Sequence, residues 1–182
     1  MDKKPADNNS MTKKDQAKII WLEAKRMVQK SPVLRKRIKP LVAEMVSNFN
    51  DGVFKPLGRD SETIDGLNVH GATFDEVHAW TDMNMYDVVV DGTSSRDNPL
   101  IFVTSTAGTV RESVFDRLYD ECELVINGYE DPEGYRNERI LPIIYELDKR
   151  SEWVNPKAWK KANPGLGTIK KIDALEQKVN KA

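Results

Sequence analysis

The chain has 182 residues, which suits one domain or part of a larger one. Its 28 Lys and Arg residues and 29 Asp and Glu residues give a net charge of -1, so no global basic field indicates a nucleic-acid partner. The single cysteine, Cys122, excludes a disulfide framework within the chain and is typical of a reducing compartment. No apolar run approaches the ~20 residues that a membrane-spanning helix needs. We therefore expect a soluble, cytoplasmic protein without a membrane partner.

The first part of the chain is predicted to be a polar tail followed by two helices. Residues 1–13 are rich in Asn, Asp and Lys, a composition typical of a disordered segment. Apolar residues then recur at helical spacing from Ala17 to Val28, which predicts an amphipathic helix. Ser31 and Pro32 are typical of the N-cap and first residue of a second, short helix.

Short strands are predicted after these helices. Residues 41–46 fit either a strand or a continued helix, and we favour the strand. The Asp51-Gly52 pair indicates a turn, and residues 53–58 after it are predicted to form a short edge strand.

Two later apolar runs each end in polar residues, and this pattern carries most of the functional information. The first run closes at Phe74, and the second covers residues 100–103. The polar residues that follow them are Asp75, Glu76, Thr104, Ser105 and Thr106. Ligands of open α/β sheets bind outside the carboxyl ends of the strands, so these residues are candidates for a binding site.

The segment between the two runs is predicted to be a helix. Thr81-Asp82 is a capping signal, and Gly92 marks the end. A strand–helix–strand crossover makes the two strands parallel, so their polar ends meet at one edge of the sheet. Strands that are apolar throughout suit a parallel sheet covered by helices on both faces. The predicted fold is therefore α/β, a three-layer and mainly parallel sheet.

The second half of the chain is predicted to contain a helix, a third strand and a final helix. Residues 113–127 have the apolar spacing of a long helix. Residues 139–147 are interpreted as a third apolar strand, which Pro142 places near an edge. The final helix is expected to begin at about Lys170.

The paired carboxylates have a chemical and a structural interpretation. At the edge of a nucleotide-hydrolysing sheet, Asp75 holds Mg²⁺ and Glu76 orients the attacking water. The structural alternative is a helix N-terminus, where the dipole favours carboxylates. The hydroxyls of Thr104, Ser105 and Thr106 have a structural alternative too, which is local hydrogen bonding at a strand end. His78 is interpreted as a packing or capping residue, because no second ligand stands at zinc spacing.

Several segments together resemble one protein family, and they cover nearly everything from Lys14 onward. The matching segments are Gln16-Ala17, Ser31-Pro32, Asp65-Gly66-Leu67-Asn68, Asp75-Glu76-Val77-His78-Ala79, Thr104-Ser105-Thr106-Ala107-Gly108, Ile144-Tyr145-Glu146-Leu147-Asp148 and Trp159 to Gly167. Taken in this order, they resemble the ATPase domain of tailed-bacteriophage terminase large subunits. Those proteins are two-domain motors, in which an ATPase pumps DNA into the capsid and a nuclease cuts it.

The resemblance implies roles, cofactors and partners. It assigns Asp75 to Mg²⁺ through water, Glu76 to the attacking water, and Thr104-Ser105-Thr106 to a motif that couples hydrolysis to DNA movement. It implies a sheet of the P-loop NTPase (ASCE) type, with ATP and Mg²⁺ as cofactors. The implied partners are double-stranded DNA, the portal protein, the small terminase subunit and further copies of the chain, in the cytoplasm of a bacterial host.

Two departures from the family limit what the 182 residues are expected to do alone. First, the 182 residues contain no Gly-rich loop followed by Lys-Ser or Lys-Thr, the element that cradles the phosphates in such enzymes. The expected organisation is a tail over 1–13, the C-terminal portion of an ATPase domain over 14–167, and a terminal helix or linker toward an absent nuclease domain over 168–182. We therefore expect an incomplete fold that is inactive by itself.

Two other functional classes stay open at the level of sequence. Asp75-Glu76-Val77-His78 also matches the Asp-Glu-x-His box of helicase-like ATPases. A non-catalytic prophage remnant or interaction module is the third hypothesis. The segments after residue 143 favour the terminase, because they have no helicase counterpart that we recognise.

Overall fold

The computed structural model of the chain describes residues 13–58, 66–80, 82–108 and 112–181. Residues 1–12 of the predicted tail lie outside this part of the chain. The chain divides into two compact units, Met1–Leu118 and Tyr119–Ala182. No helix among the described residues combines the length and apolar character that a bilayer crossing requires.

The first unit begins with two helices, as predicted. Helix α1 spans Lys13–Lys30 and helix α2 spans Pro32–Arg37. Trp21 and Val28 are buried on the apolar side of α1. Ser31 is the N-cap of α2, and its hydroxyl oxygen accepts a hydrogen bond from the Leu34 N–H at 3.3 Å. The capping signal in the sequence therefore marked the junction of the two helices correctly.

A small antiparallel sheet follows α2. Strands β1 (Ile38–Pro40), β2 (Met45–Ser47) and β3 (Val53–Phe54) pair in chain order, so β3 is an edge strand as predicted. It ends at Phe54, and residues 55–58 of the predicted strand form no regular structure. The predicted strand over 41–46 is correct only from Met45 onward. The residues before it form the hairpin turn, which the Leu41 N–H closes by donating to the Glu44 carbonyl at 2.8 Å. Apolar residues in a tight turn imitate a strand, because a local pattern does not show where the chain reverses.

A separate parallel pair of strands carries the polar residues singled out above. Strand β4 spans Gly71–Asp75 and strand β5 spans Leu100–Thr104. Helix α3, Asn84–Asp91, connects them, and Gly92 is its C-cap. Asp82 accepts a hydrogen bond from the Asn84 N–H at 3.3 Å, while Thr81 lies outside the described residues. The predicted crossover and the parallel pairing are thus confirmed.

One face of the parallel pair is covered and the other is exposed. The buried cluster on the covered face consists of Phe74, Val77, Trp80, Val89 and Val114. On the opposite face the side chains of Leu100 and Phe102 remain 66% and 55% exposed. The described residues therefore form a mixed α/β fold with a small parallel sheet covered on one side, rather than the mainly parallel three-layer sheet that was predicted.

Helix α4 spans Val114–Gly128, close to the predicted range, and continues into the second unit. Val125 is fully buried there. Cys122, on the same helix, is partly buried, and burial, together with the charge of Glu121, raises the pKa of its thiol. This agrees with an ordinary packed cysteine.

The third predicted strand is wrong. Residues 139–147 form no regular structure, and among the described residues no strand pairs with them. Leu141 and Ile143 are 85% and 67% exposed, and Pro142 has no N–H to donate. The segment is held instead by Glu146, which accepts a hydrogen bond from the Tyr119 hydroxyl at 2.8 Å. Burial and this carboxylate raise the pKa of the Tyr119 phenol.

The end of the second unit is organised around buried Trp159 in helix α5, Trp159–Ala162. Its indole N–H donates to the Trp153 carbonyl oxygen at 2.6 Å. Lys161 bonds Asp148 at 2.5 Å and Glu152 at 2.9 Å, and the bond to Asp148 is the main cause that raises the pKa of Lys161. Helix α6, Ile172–Val179, begins two residues after the predicted start.

Candidate functional site

The ends of β4 and β5 are joined by two cross-strand hydrogen bonds. Asp75 stands opposite Thr104 in the parallel register. The Thr104 hydroxyl donates to Asp75 Oδ1 at 2.7 Å, and the Glu76 N–H donates to the Thr104 carbonyl at 2.9 Å. A hydrogen bond from a hydroxyl to a carboxylate is charge-assisted and stronger than a neutral one. Asp75 is therefore held at the edge of the sheet by the neighbouring strand.

Glu76 has a backbone conformation that glutamate rarely adopts. Its φ is 53°, in the left-handed region, and it precedes the single 3₁₀ turn Val77–Ala79. Such a conformation costs about 1–3 kcal/mol and persists where the surroundings enforce it. Here the β4–β5 pairing fixes one side of Glu76, while Val77 and Trp80 are buried on the other. The strained residue therefore lies directly after β4, at the predicted site.

The Glu76 carboxylate belongs to a cluster with His78 and Ser105. His78 Nδ1 lies 3.1 Å from Glu76 Oε2 and 3.2 Å from Ser105 Oγ. The backbone N–H of His78 also donates to Ser105 Oγ, at 3.1 Å. The Ser105 hydroxyl is within 3.1 Å of the Thr106 carbonyl oxygen, to which it donates. The loop after β4 is therefore tied to the loop after β5 through one serine and one histidine.

Gly108 leaves the room that the His78 ring occupies. A Cβ added at Gly108 would lie 2.9 Å from both Cβ and Cδ2 of His78. Real Cβ atoms do not approach other carbons this closely, so any larger residue would displace the ring. A glycine at position 108 therefore allows the His78 ring to pack where it does.

The structure brings four of the five predicted site residues together. Asp75 bonds Thr104, and Glu76 reaches Ser105 through His78, whereas Thr106 is exposed and its side chain has no partner among the described residues. Asp75 lies in a strand, whereas Glu76 is the N-cap residue of the 3₁₀ turn Val77–Ala79 without a capping bond from its side chain, so the helix N-terminus alternative agrees with Glu76 in position only. The Thr104 bond crosses between strands, whereas the Ser105 hydroxyl makes a local bond to the Thr106 carbonyl, as the structural alternative predicted.

The sequence analysis did not predict the contact between the His78 ring and the Glu76 carboxylate. It predicted a packing or capping residue, and the backbone bond to Ser105 agrees with that, but the ring also contacts the Glu76 carboxylate. The available signal was the spacing in Asp-Glu-x-His. Its meaning depends on the left-handed conformation of Glu76, which brings residue 78 back beside residue 76.

The residues fit Mg²⁺ held with a nucleotide better than a metal held by protein alone. Among the residues that the structure describes, no group of three or more His, Cys, Asp and Glu side chains could hold a metal ion. Mg²⁺ prefers oxygen ligands, keeps several waters, and is commonly bound by one or two carboxylates together with substrate phosphates. A single carboxylate fixed at a strand end, as Asp75 is, suits that kind of site.

Fold and site together define a mixed α/β protein with a carboxylate pair and hydroxyls at the carboxyl edge of a parallel strand pair. The family model for "Terminase large subunit, ATPase domain" matches residues 4–124. Because this match covers most of the chain, the protein belongs to the family of terminase large subunit ATPase domains.

Individual relatives agree with this assignment. The large terminase subunit of Enterobacteria phage HK97 is 24% identical over 174 residues, which is 93% of this chain and 32% of that protein. Protein YmfN of Escherichia coli K12 is 30% identical over 104 residues, 57% of this chain and 22% of that protein. The terminase large subunit of Lactococcus phage p2 is 26% identical over 119 residues, 65% of this chain and 21% of that protein.

A solved structure shares the fold. The crystal structure of the HK97 bacteriophage large terminase superimposes with a TM-score of 0.73 at 23% sequence identity. The similarity covers 92% of this chain and 34% of that one. The chain therefore spans at most about a third of the length of these relatives.

Proposed function

We propose that this chain supplies the water-positioning side of the ATPase site in a DNA-packaging motor. The observation that carries the proposal is the edge of the β4–β5 pair, where Asp75 is held by Thr104 and Glu76 follows in a strained turn. The family match supports the class of protein. Together they favour a packaging ATPase over the helicase-like ATPase, because the matching family is that of terminase large subunits.

Each carboxylate has a separate task in this proposal. Asp75, an oxygen ligand fixed at the strand end, orients a metal-bound water. Glu76 accepts a hydrogen bond from the attacking water and polarises it. When bound with ATP, Mg²⁺ neutralises charge on the phosphate oxygens. The Glu76 side chain is 38% exposed, which leaves it accessible to a water molecule.

The hydroxyls at the end of β5 and in the loop after it are proposed to couple the site to movement. Thr104 and Ser105 contact the two carboxylates, directly and through His78, so a shift of this loop changes the surroundings of both. The exposed hydroxyl of Thr106 is available to a phosphate oxygen. We assign Thr104-Ser105-Thr106 to the coupling role, in which a change at the terminal phosphate reaches parts that grip DNA.

We propose that the phosphate-binding side comes from residues outside these 182. A backbone cradle with Lys and a metal-binding hydroxyl is what holds the β- and γ-phosphates in enzymes of this type. The proposed partners are therefore a nucleotide-binding segment of the same motor, double-stranded DNA, a portal protein and a small subunit, in the cytoplasm of a bacterium that carries the phage or prophage. A non-catalytic interaction module is the alternative.

Phosphate release with ATP and Mg²⁺ tests this proposal in two forms of the protein. The isolated chain should show no turnover above background. A hybrid in which residues 14–167 replace the matching segment of the HK97 large terminase should hydrolyse ATP. Glu76→Gln in the hybrid should reduce the rate by about a hundredfold or more, as loss of a general base does. Glu130→Gln, at an exposed turn, is the matched control and should not change it.

Two results would contradict the proposal. Clear turnover by the isolated chain that Glu76→Gln abolishes would mean that the 182 residues contain a phosphate site of another kind. A hybrid that folds and binds ATP but hydrolyses it no faster than its Glu76→Gln variant would support the non-catalytic alternative.

A further inference from the structure

The contact between His78 and Glu76 fixes where the imidazole carries its proton. An ionised carboxylate can only accept hydrogen bonds. Because Glu76 Oε2 lies 3.1 Å from His78 Nδ1, a lone pair on Nδ1 would face a second acceptor. The contact is favourable only with the hydrogen on Nδ1. This conclusion holds for the neutral ring and for the charged ring alike.

The bonds of the Ser105 hydroxyl agree with the same tautomer. A hydroxyl has one hydrogen to donate and two lone pairs to accept with. Ser105 donates to the Thr106 carbonyl at 3.1 Å and accepts from the His78 backbone N–H at 3.1 Å. Its remaining lone pair faces His78 Nδ1 at 3.2 Å, so Nδ1 is the donor there too. All three positions of the hydroxyl are then used.

We propose that His78 is a positioning residue that holds the Glu76 carboxylate and the Ser105 hydroxyl through one shared Nδ1–H. The role rests on the proposed function, in which Glu76 polarises the attacking water. Since one hydrogen serves two acceptors, a movement of Ser105 away from the ring strengthens the bond to Glu76, and a movement toward it weakens that bond. His78 thereby transmits a change in the loop after β5 to the carboxylate after β4.

The ring is placed for this task by its surroundings. It follows the strained residue Glu76 by two positions, within the 3₁₀ turn anchored by buried Val77. On another side it packs against Gly108, where a Cβ would displace it. The backbone of His78 is fixed to Ser105 as well, so the ring has little freedom to leave the two acceptors.

The first test is the tautomer of His78 in the 182-residue chain. The chain contains two histidines, so His70→Gln assigns the signals without ambiguity. We would label histidine with ¹⁵N and record ring spectra about two pH units above the ordinary histidine pKa of about 6.5. Solid-state spectra of the sedimented chain make the measurement independent of oligomer size. The proposal requires the proton on Nδ1 of His78, and a proton on Nε2 would overturn it.

The second test asks whether Ser105 and Glu76 are coupled through the ring. Glu76→Gln identifies the ¹³C carboxylate signal of Glu76. Ser105→Ala should shift this signal in the parent chain and in His78→Asn, whose side-chain amide N–H replaces Nδ1–H. The shift should be lost in His78→Gln, which places its amide at the position of Nε2. An equal shift in all three backgrounds, with each variant shown to be folded by its backbone spectrum, would contradict the proposal.

The outcome is separable from that of the proposed function. Neither readout needs ATP. A hybrid that folds and binds ATP without hydrolysing it would therefore contradict the proposed function, while the spectra would still decide the role of His78 in positioning Glu76. Conversely, ATP hydrolysis by the hybrid together with the Nε2 tautomer in the 182-residue chain would support the proposed function and exclude the positioning role of His78.

Discussion

Glu76 combines a strained backbone conformation with a side chain that contacts His78. A left-handed φ of 53° favours glycine, yet the position carries the carboxylate that reaches His78. Strain at single residues is concentrated at functional sites, where the surrounding structure enforces it. Here the cross-strand bond from the Glu76 N–H and the burial of Val77 provide that enforcement. Stability is thus given up at the residue that we propose polarises the attacking water.

We predict that Glu76→Gly is more stable than Glu76→Ala. Both variants lose the contact with His78, but only alanine keeps a Cβ in the left-handed region, so the difference should be about 1 kcal/mol in the free energy of unfolding. Urea denaturation measures it.

Asp120, on an exposed position of α4, provides the control for this comparison. There Asp120→Gly should be less stable than Asp120→Ala by about 1 kcal/mol, because helical backbone favours alanine. The same sign at both positions would show that the strain at Glu76 is not real.

Neutralising Asp75 and neutralising Glu76 should have different effects on the hybrid described above. Glu76→Gln should leave the Kd for Mg²⁺-ATP within about threefold of the parent value while hydrolysis stops, because only the water loses its partner. Asp75→Asn should weaken binding as well, because the metal loses its charged oxygen. Equilibrium binding of a fluorescent ATP analogue separates the two outcomes.

One result would contradict this division of roles between Asp75 and Glu76. Equal and complete loss of nucleotide binding in both variants would mean that Asp75 and Glu76 act as one metal-binding unit. Binding should also depend on Mg²⁺ in the parent hybrid, and chelation of the metal is the control.

At the scale of elements, the parallel pair has two different faces. Phe74 is buried, and its ring contacts Trp80 edge-on at 5.5 Å and Tyr86 at 5.2 Å between centroids. Phe102, on the neighbouring strand, points to the opposite face and is 55% exposed. The covered face holds the sheet to α3 and the 3₁₀ turn, and so supports the site at its edge.

We therefore predict very different effects of two similar substitutions. Phe74→Ala should lower the free energy of unfolding by about 3–5 kcal/mol, because it empties a packed position. Phe102→Ala should lower it by less than about 1 kcal/mol, because the ring is already largely in water. Urea denaturation of the two variants decides this. A similar loss in both would show that the second face is also covered.

At the scale of the whole molecule, the exposed face raises the question of self-association. Leu100 and Phe102 lie on the same exposed face of a two-stranded sheet, with which no further strand pairs among the residues that the structure describes. Such a surface favours association with other chains. We predict that the isolated chain is oligomeric and melts below about 65 °C, within the range of marginal mesophilic domains. Light scattering and a thermal melt measure both properties.

Matched variants identify the surface responsible. Leu100→Thr combined with Phe102→Thr keeps strand propensity while removing apolar area, so it should shift the chain toward the monomer. Val42→Thr, at a 92% exposed position in the β1–β2 turn, is the control and should not. A monodisperse parent monomer that melts sharply above about 65 °C would mean that the chain closes its own core.

The sequence alone predicted the elements whose signals are local. Helix α1 followed from apolar spacing, and the start of α2 followed from Ser31-Pro32. The parallel pairing of β4 and β5 followed from two apolar runs joined by a helix, since such crossovers have few alternatives. The segment 139–147 has a comparable apolar pattern but forms no strand, because a strand also needs a partner, and pairing is decided by distant parts of the chain.

The candidate site divides in the same way. Its five residues were predicted from the sequence, because polar residues after apolar strands are visible there. Only the tertiary structure decided that Thr104 bonds Asp75 and that His78 stands between Glu76 and Ser105. The physical reason is that these contacts depend on strand register and on one left-handed residue. Neither the strand register nor the left-handed conformation can be read from the spacing of these residues along the sequence.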